Sequence, residues 1–130
     1  MYVLRYVMRW NFKKMSKTKI QTEMKKAVAH LNFSAILYEE QIRNGLLFLH
    51  EHPSQADSWE EGCVTQVLSS NGVGEVAMDQ CQLGQSDSEG NPIRKPSRWM
   101  SNGQHILKSL NNRCLGRGGW CKPMEQASTM

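Results

Sequence analysis

The sequence has no apolar run approaching the roughly 18 residues that cross a bilayer. It has no internal repeat and no low-complexity tract. Its four cysteines, Cys63, Cys81, Cys114 and Cys121, form no Cys-x-x-Cys pair, and the seven-residue step from Cys114 to Cys121 is not a zinc-site spacing. The opening "MYVLRYVMRW" is broken by Arg5 and Arg9, so it makes a poor signal-peptide core. These absences point away from a membrane span, a repeat array and a zinc ribbon. A nuclear or cytoplasmic location with cysteines as thiols is the expectation.

Acid is also scarce at one end. Residues 1 to 26 carry eight Lys/Arg against Glu23 alone, a net +7. The remainder carries eight Lys/Arg against eleven acids, a net −3. A basic arm of this kind attracts phosphate backbones. The 130 residues suit one domain, and 39% hydrophobic with 22% charged residues suits a folded chain. The organisation expected is a poorly ordered basic arm over 1–16, a domain over 17–122 and a disordered tail over 123–130.

Residues 17 to 44 read as one amphipathic helix. Ile20, Met24, Val28, Leu31, Ala35, Tyr38 and Ile42 recur at three- and four-residue spacing, and Gly45 is placed to stop the helix. "LLFL", residues 46 to 49, is a buried strand ended by Pro53. A helix follows from Trp59 to about Ser69, capped by Asp57 or Ser58. Residues 75 to 81 and 94 to 102 read as two further strands, residues 103 to 114 as a short helix, and the rest of the tail as loop. A helix between two strands implies a right-handed crossover and an α/β sheet. Three strands with flanking helices make half of a doubly wound domain, so the N-terminal half is expected to be missing. Such a half sheet leaves an open edge through which copies could associate.

"LLFLHEHP" then raises two chemistries. Residues two apart on a strand share a face, so His50 and His52 form a candidate metal pair. Asp57, Asp79 or His105 could be a third ligand, with nothing in the spacing to select among them, and the alternative function on this reading is a metal-dependent hydrolase or nuclease. Otherwise Glu51 is the working residue. It lies beyond a strand tip, where open α/β sheets bind ligands, and a carboxyl there can share a proton with a ring nitrogen. Trp99, with Lys95 and Arg98 beside it, is an aromatic among cations and a candidate for stacking on a base. Trp59 either stacks or packs its helix onto the sheet. The methionines read as gap-fillers of core or surface. A site-free protein-interaction module is the remaining alternative.

Four pieces occur in a particular order: Glu51-His52-Pro53; Ser58-Trp59; Asp79-Gln80-Cys81 with Gly84; and Lys95-Pro96-Ser97 with Met100-Ser101-Asn102. Together, over about residues 27 to 121, they resemble the C-terminal half of C5-cytosine DNA methyltransferase-like domains carried by phages and by mobile-element (retrotransposon) polyproteins. The resemblance implies a Rossmann-like class I methyltransferase sheet that binds S-adenosylmethionine. It places Glu51 where the family engages the ring nitrogen and amino group of the target cytosine. Pro53 would fix the turn after it, and Lys95, Pro96 and Ser97 would form a structural or nucleic-acid-facing strand. Trp59, Asp79, Cys81, Gly84 and Asn102 are matched as structural motif positions. The family's Pro-Cys nucleophile and glycine-rich cofactor loop have no counterpart: no cysteine follows a proline, and the first glycine is Gly45. The expectation is therefore a truncated or degenerate domain. It uses no cofactor by itself, performs no methyl transfer, needs no metal, and leaves DNA or RNA open as a partner.

Overall fold

A computed structural model describes residues 15–115 and the backbone of Lys122–Pro123. The expected basic arm lies almost wholly outside the described residues, as do Cys121 and most of the tail. Helix α1 spans Lys17–Arg43. Ser16 caps it, its side chain accepting from Lys19 N at 3.2 Å. Gly45, at φ 69°, closes it: Leu46 N donates to Gln41 O (2.8 Å) and Gly45 N to Ile42 O (3.1 Å). Both ends stand where the sequence puts them.

Strand β1 is Leu49–Pro53. The expected "LLFL" strand is displaced by three residues, because Leu46 and Leu47 complete the helix exit and stay exposed. A 3-10 turn, Asp57–Glu60, and helix α2, Gly62–Leu68, replace the single helix expected from Trp59. The break is at Glu61, whose backbone is extended (φ −66°, ψ 136°). Strand β2 is Gly74–Asp79, followed by a 3-10 turn at Gln80–Leu83 that Gly84 ends at φ 85°. The third expected strand divides into β3, Ile93–Arg94, and β4, Pro96–Ser101. Helix α3 is Gln104–Leu110, and β5, Lys122–Pro123, pairs in parallel with β3.

The chain is a mixed α and β fold, but its main sheet is antiparallel. Its order is β1-β4-β2, with β4 antiparallel to both neighbours. β1 and β2 therefore run parallel with α2 between them, as the helix-crossover reading expects, but they do not touch. β4 returns between them, giving a split β-α-β arrangement. The expected doubly wound, Rossmann-like order does not match this sheet. The physical reason lies in residues 80 to 92: no helix separates β2 from β4, so the chain turns back rather than crossing over.

α1 and α2 cover one face of the sheet. Ala27, Leu31 and Ala35 of α1 pack with Phe48, Ala56, Trp59, Val64, Val67 and Met100, and Tyr38 and Ile42 extend the cluster. The predicted stripe holds from Leu31 onward. Nearer the N-terminus Ala27 is the buried position, while Met24 and Val28 are half-covered. Met78 and Met100 are fully buried, so these two methionines are core.

The motif residues act mainly as staples. Asn102 Oδ1 accepts from Phe48 N (3.0 Å) while its Nδ2 donates to Leu46 O (2.8 Å). Ser101 Oγ donates to Phe48 O (2.6 Å). Asp79 N donates to Asn112 O (3.1 Å) and Asp79 Oδ2 accepts from Cys114 N (2.7 Å), tying the chain after α3 to the edge of β2. Ser54 N donates to Pro96 O (3.0 Å). Antiparallel alternation from that bond turns the backbone groups of His50 and His52 to β4 and leaves those of Leu49 and Glu51 on the open edge of β1.

Candidate functional site

Residues opposed across a pair of strands point to the same face. His50 is opposed to Met100 and His52 to Arg98, all on the helix-covered face. Glu51 is opposed to Trp99, which is opposed in turn to Val76, and Ser97 to Met78. These form the outer face. The sequence-derived candidates thus separate cleanly: Glu51, Ser97 and Trp99 come together, and His50, His52 and Arg98 lie on the other side of the sheet.

On the covered face both histidines are core residues, 5% and 9% exposed. The Tyr38 hydroxyl lies 2.7 Å from His50 Nδ1, and the Ser58 hydroxyl 2.6 Å from His52 Nδ1. The two imidazole rings are 4.2 Å apart, with the Trp59 ring 5.3 Å from that of His50. Burial depresses His50 to about 4. Burial, with His50 beside it, depresses His52 to about 3. The pair is held neutral, each ring using Nδ1 in the core. Among the described residues no group of three or more His, Cys, Asp or Glu could hold a metal ion. Asp79 is engaged at the far end of β2, and His105 is exposed on α3. The metal-pair expectation has no third ligand there.

Trp59 packs rather than stacks. It is 5% exposed, and its Nε1 donates to Pro53 O at 3.0 Å. That carbonyl also accepts from Ala56 N (3.0 Å), so the tip of β1 is closed by the chain itself. Arg98 is a second correction: its guanidinium sits 4.3 Å over the Trp59 ring and is paired with Glu75. It braces the core face and does not flank Trp99. Cys63, Cys81 and Cys114 are thiols, and burial pushes the Cys63 thiol up, away from the nucleophilic form.

On the outer face Gln80 joins the group. Its Nε2 donates to Glu51 Oε1 (3.2 Å) and to Ser97 Oγ (2.9 Å). Gln80 was quoted in the motif series but given no role. Carrying the alternation of Met78 two residues on would have placed it beside Ser97. Gln80 N donates to Lys95 O (3.0 Å), which anchors the turn and brings Lys95 to the same alternation as Ser97 and Trp99. Glu51, Gln80, Lys95 and Trp99 are half-buried, whereas Ser97 is fully buried. The indole N–H of Trp99 is out of solvent with no hydrogen-bond partner. α3 packs on this face against both β2 and β4, with Leu107 meeting the backbone of Gly74, and Met78, Ser97 and Ser101 of the same face are fully buried, so the accessible part is the half-buried group of Glu51, Gln80, Lys95 and Trp99. The result is a carboxylate, an amide and an indole on one sheet face, which can offer acceptors, a donor edge and a stacking surface.

Comparison with protein-family models, with curated proteins and with solved structures finds no match to this chain. No described helix is long and apolar enough to cross a membrane.

Proposed function

We propose that the chain is a non-catalytic nucleic-acid-binding module that reads unpaired bases on the outer face of its sheet. The observation that carries this is the direct opposition of Glu51 and Trp99 in the β1–β4 register, with Gln80 fixing the carboxylate from the side. An aromatic face holds an unpaired base by stacking, and a positioned carboxylate beside an amide reads its hydrogen-bonding edge. Lys95 and the cationic first 26 residues supply attraction to phosphates. The ordered motif series resembles that of mobile-element methyltransferase-like domains, but the antiparallel sheet is not their Rossmann-like sheet, so the base-contacting role of Glu51 rests in this reading on its place beside Trp99 and Gln80.

The experiment is salt-titrated binding of labelled single-stranded and double-stranded oligonucleotides. Preferential binding of the single strand, weakened by Glu51→Ala, is expected. Affinity no better than that of an unrelated basic protein, or equal for both substrates, refutes the reading.

A further inference from the structure

α1 carries a second apolar stripe that the fold does not use. Phe33, Ile36 and Leu37 are 58%, 62% and 48% exposed, on the side of the helix away from Leu31 and Ala35. Ala29 is exposed on the same side. An amphipathic helix buries one stripe and shows polar residues on the other, so a helix apolar on both sides is built for a second contact. The stripe is bounded by opposite charges, Lys26 on the N-terminal side and Glu40 on the C-terminal side, each seven residues from Phe33.

That symmetry selects the occupant. We infer that α1 is the interface of a homodimer in which two copies pack their outer stripes antiparallel, with the two-fold axis beside Phe33. In this arrangement Phe33 meets Phe33 of the second copy, Leu37 meets Ala29, large against small, and Lys26 meets Glu40 at both ends. The contact runs about 21 Å along the helix at the standard rise per residue. A parallel pair would instead set Lys26 against Lys26 and Glu40 against Glu40. A partner of different sequence has no reason to match this internal two-fold, whereas a second copy matches it by construction. Within one chain Lys26 lies 3.7 Å from the half-buried Glu23, and Glu40 is 2.5 Å from Arg43 and accepts from Asn44 Nδ2 at 2.9 Å. Lys26, Arg43 and Glu40 are themselves exposed, and such local surface contacts hold weakly enough for a dimer to exchange them.

The surface is distinct from the open edge of β1 and from the outer sheet face. α1 covers the opposite side of the sheet, so dimerisation leaves Glu51 and Trp99 accessible. The contact lies at the small end of stable interfaces, so the dimer is expected to be concentration-dependent.

Sedimentation equilibrium of the 130-residue chain, from low to several hundred micromolar, reads the association directly. A monomer–dimer equilibrium is expected. Phe33→Asp, at an exposed position that leaves the core intact, should raise the dissociation constant about thirtyfold or more. Lys26→Glu alone and Glu40→Lys alone should each weaken the dimer about fivefold by creating two like-charge contacts. An equimolar mixture of these two variants should recover the wild-type constant within about twofold, as a heterodimer with both contacts restored. A monomer at every concentration overturns the inference. So does association that Phe33→Asp leaves unchanged, or a mixture no tighter than either variant by itself.

Discussion

Lowering the pH from 8 to 5 offers the unfolded chain two protons that the folded core refuses. His50 and His52 titrate near 6.5 when unfolded, but burial holds them at about 4 and about 3 in the fold. Because the folded values are depressed, the stabilisation is fully present above pH 6.5. It is lost as pH falls toward the folded values, since the unfolded state binds more protons throughout that window. Integrating the two titrations gives a loss of about 2 kcal/mol per histidine by pH 5, roughly 4 kcal/mol for the pair. That is a large part of the 5–15 kcal/mol typical of a domain. Among the described residues, the groups that face the pair include Tyr38 from α1, Ser58 and Trp59 from the 3-10 turn, and Arg98 of β4 with its partner Glu75, and His30 of α1 adds a lowering charge on His52. Urea unfolding at half-unit steps from pH 8 to pH 4.5 should show little change above pH 7. Below pH 6 the loss should steepen toward about 2–3 kcal/mol per pH unit. His50→Gln keeps a polar group opposite Tyr38 and should remove about half of that slope, even if it lowers stability at every pH. A slope unchanged in His50→Gln/His52→Gln would show that the histidine pair is not its source.

Four further outcomes follow from single contacts. Asn102→Ala leaves Phe48 N and Leu46 O without their side-chain partner and should cost about 2 kcal/mol in urea unfolding. Asp79→Ala removes the acceptor of Cys114 N, so amide exchange at Cys114 should accelerate and stability should fall by about 1–3 kcal/mol. Gly84→Ala meets no atom within 4 Å, so its cost should be the backbone strain of φ 85° alone, about 1–2 kcal/mol, read from the thermal midpoint. Trp59→Phe loses the bond to Pro53 O and leaves part of the buried indole site empty, and should cost about 2–3 kcal/mol in urea unfolding.

The elements were legible because their signals are local. The extent of α1 was readable, because the three- and four-step spacing and the glycine after it lie in contiguous sequence, although the buried stripe follows that spacing only from Leu31 onward. The sheet order was not. The alternation of β1, β2 and β4 says which residues share a face, but no residue states which strand lies between the others. Helix α2 between β1 and β2 suggested neighbours, and β4 entered between them through pairings that no local signal announces, from Asp79 with Pro96 to Leu49 with Ser101. Of the candidate site, Glu51, Trp99 and Ser97 were singled out in the sequence, and the register brings them to one face. Arg98 was grouped with Trp99 by adjacency, yet neighbours on a strand point to opposite faces, so the pairing failed by one residue. The metal-pair expectation lacks a third ligand among the described residues because the shared face of His50 and His52 is the helix-covered one, where hydroxyls of Tyr38 and Ser58 take up both Nδ1 atoms. The motif residues Asp79, Ser101 and Asn102 were visible, but their roles as staples depend on partners more than thirty residues away.

The central claim is that the outer sheet face binds unpaired bases, and fluorescence anisotropy of a labelled single-stranded oligonucleotide with wild-type and Trp99→Ala protein tests it most directly. Stacking contributes about 1–3 kcal/mol per base, so Trp99→Ala should weaken binding by about tenfold or more. The dependence on salt should be unchanged, because no phosphate contact is removed. Binding as tight in Trp99→Ala as in the wild type, at every salt concentration, would contradict the account and leave only the charge of the basic arm.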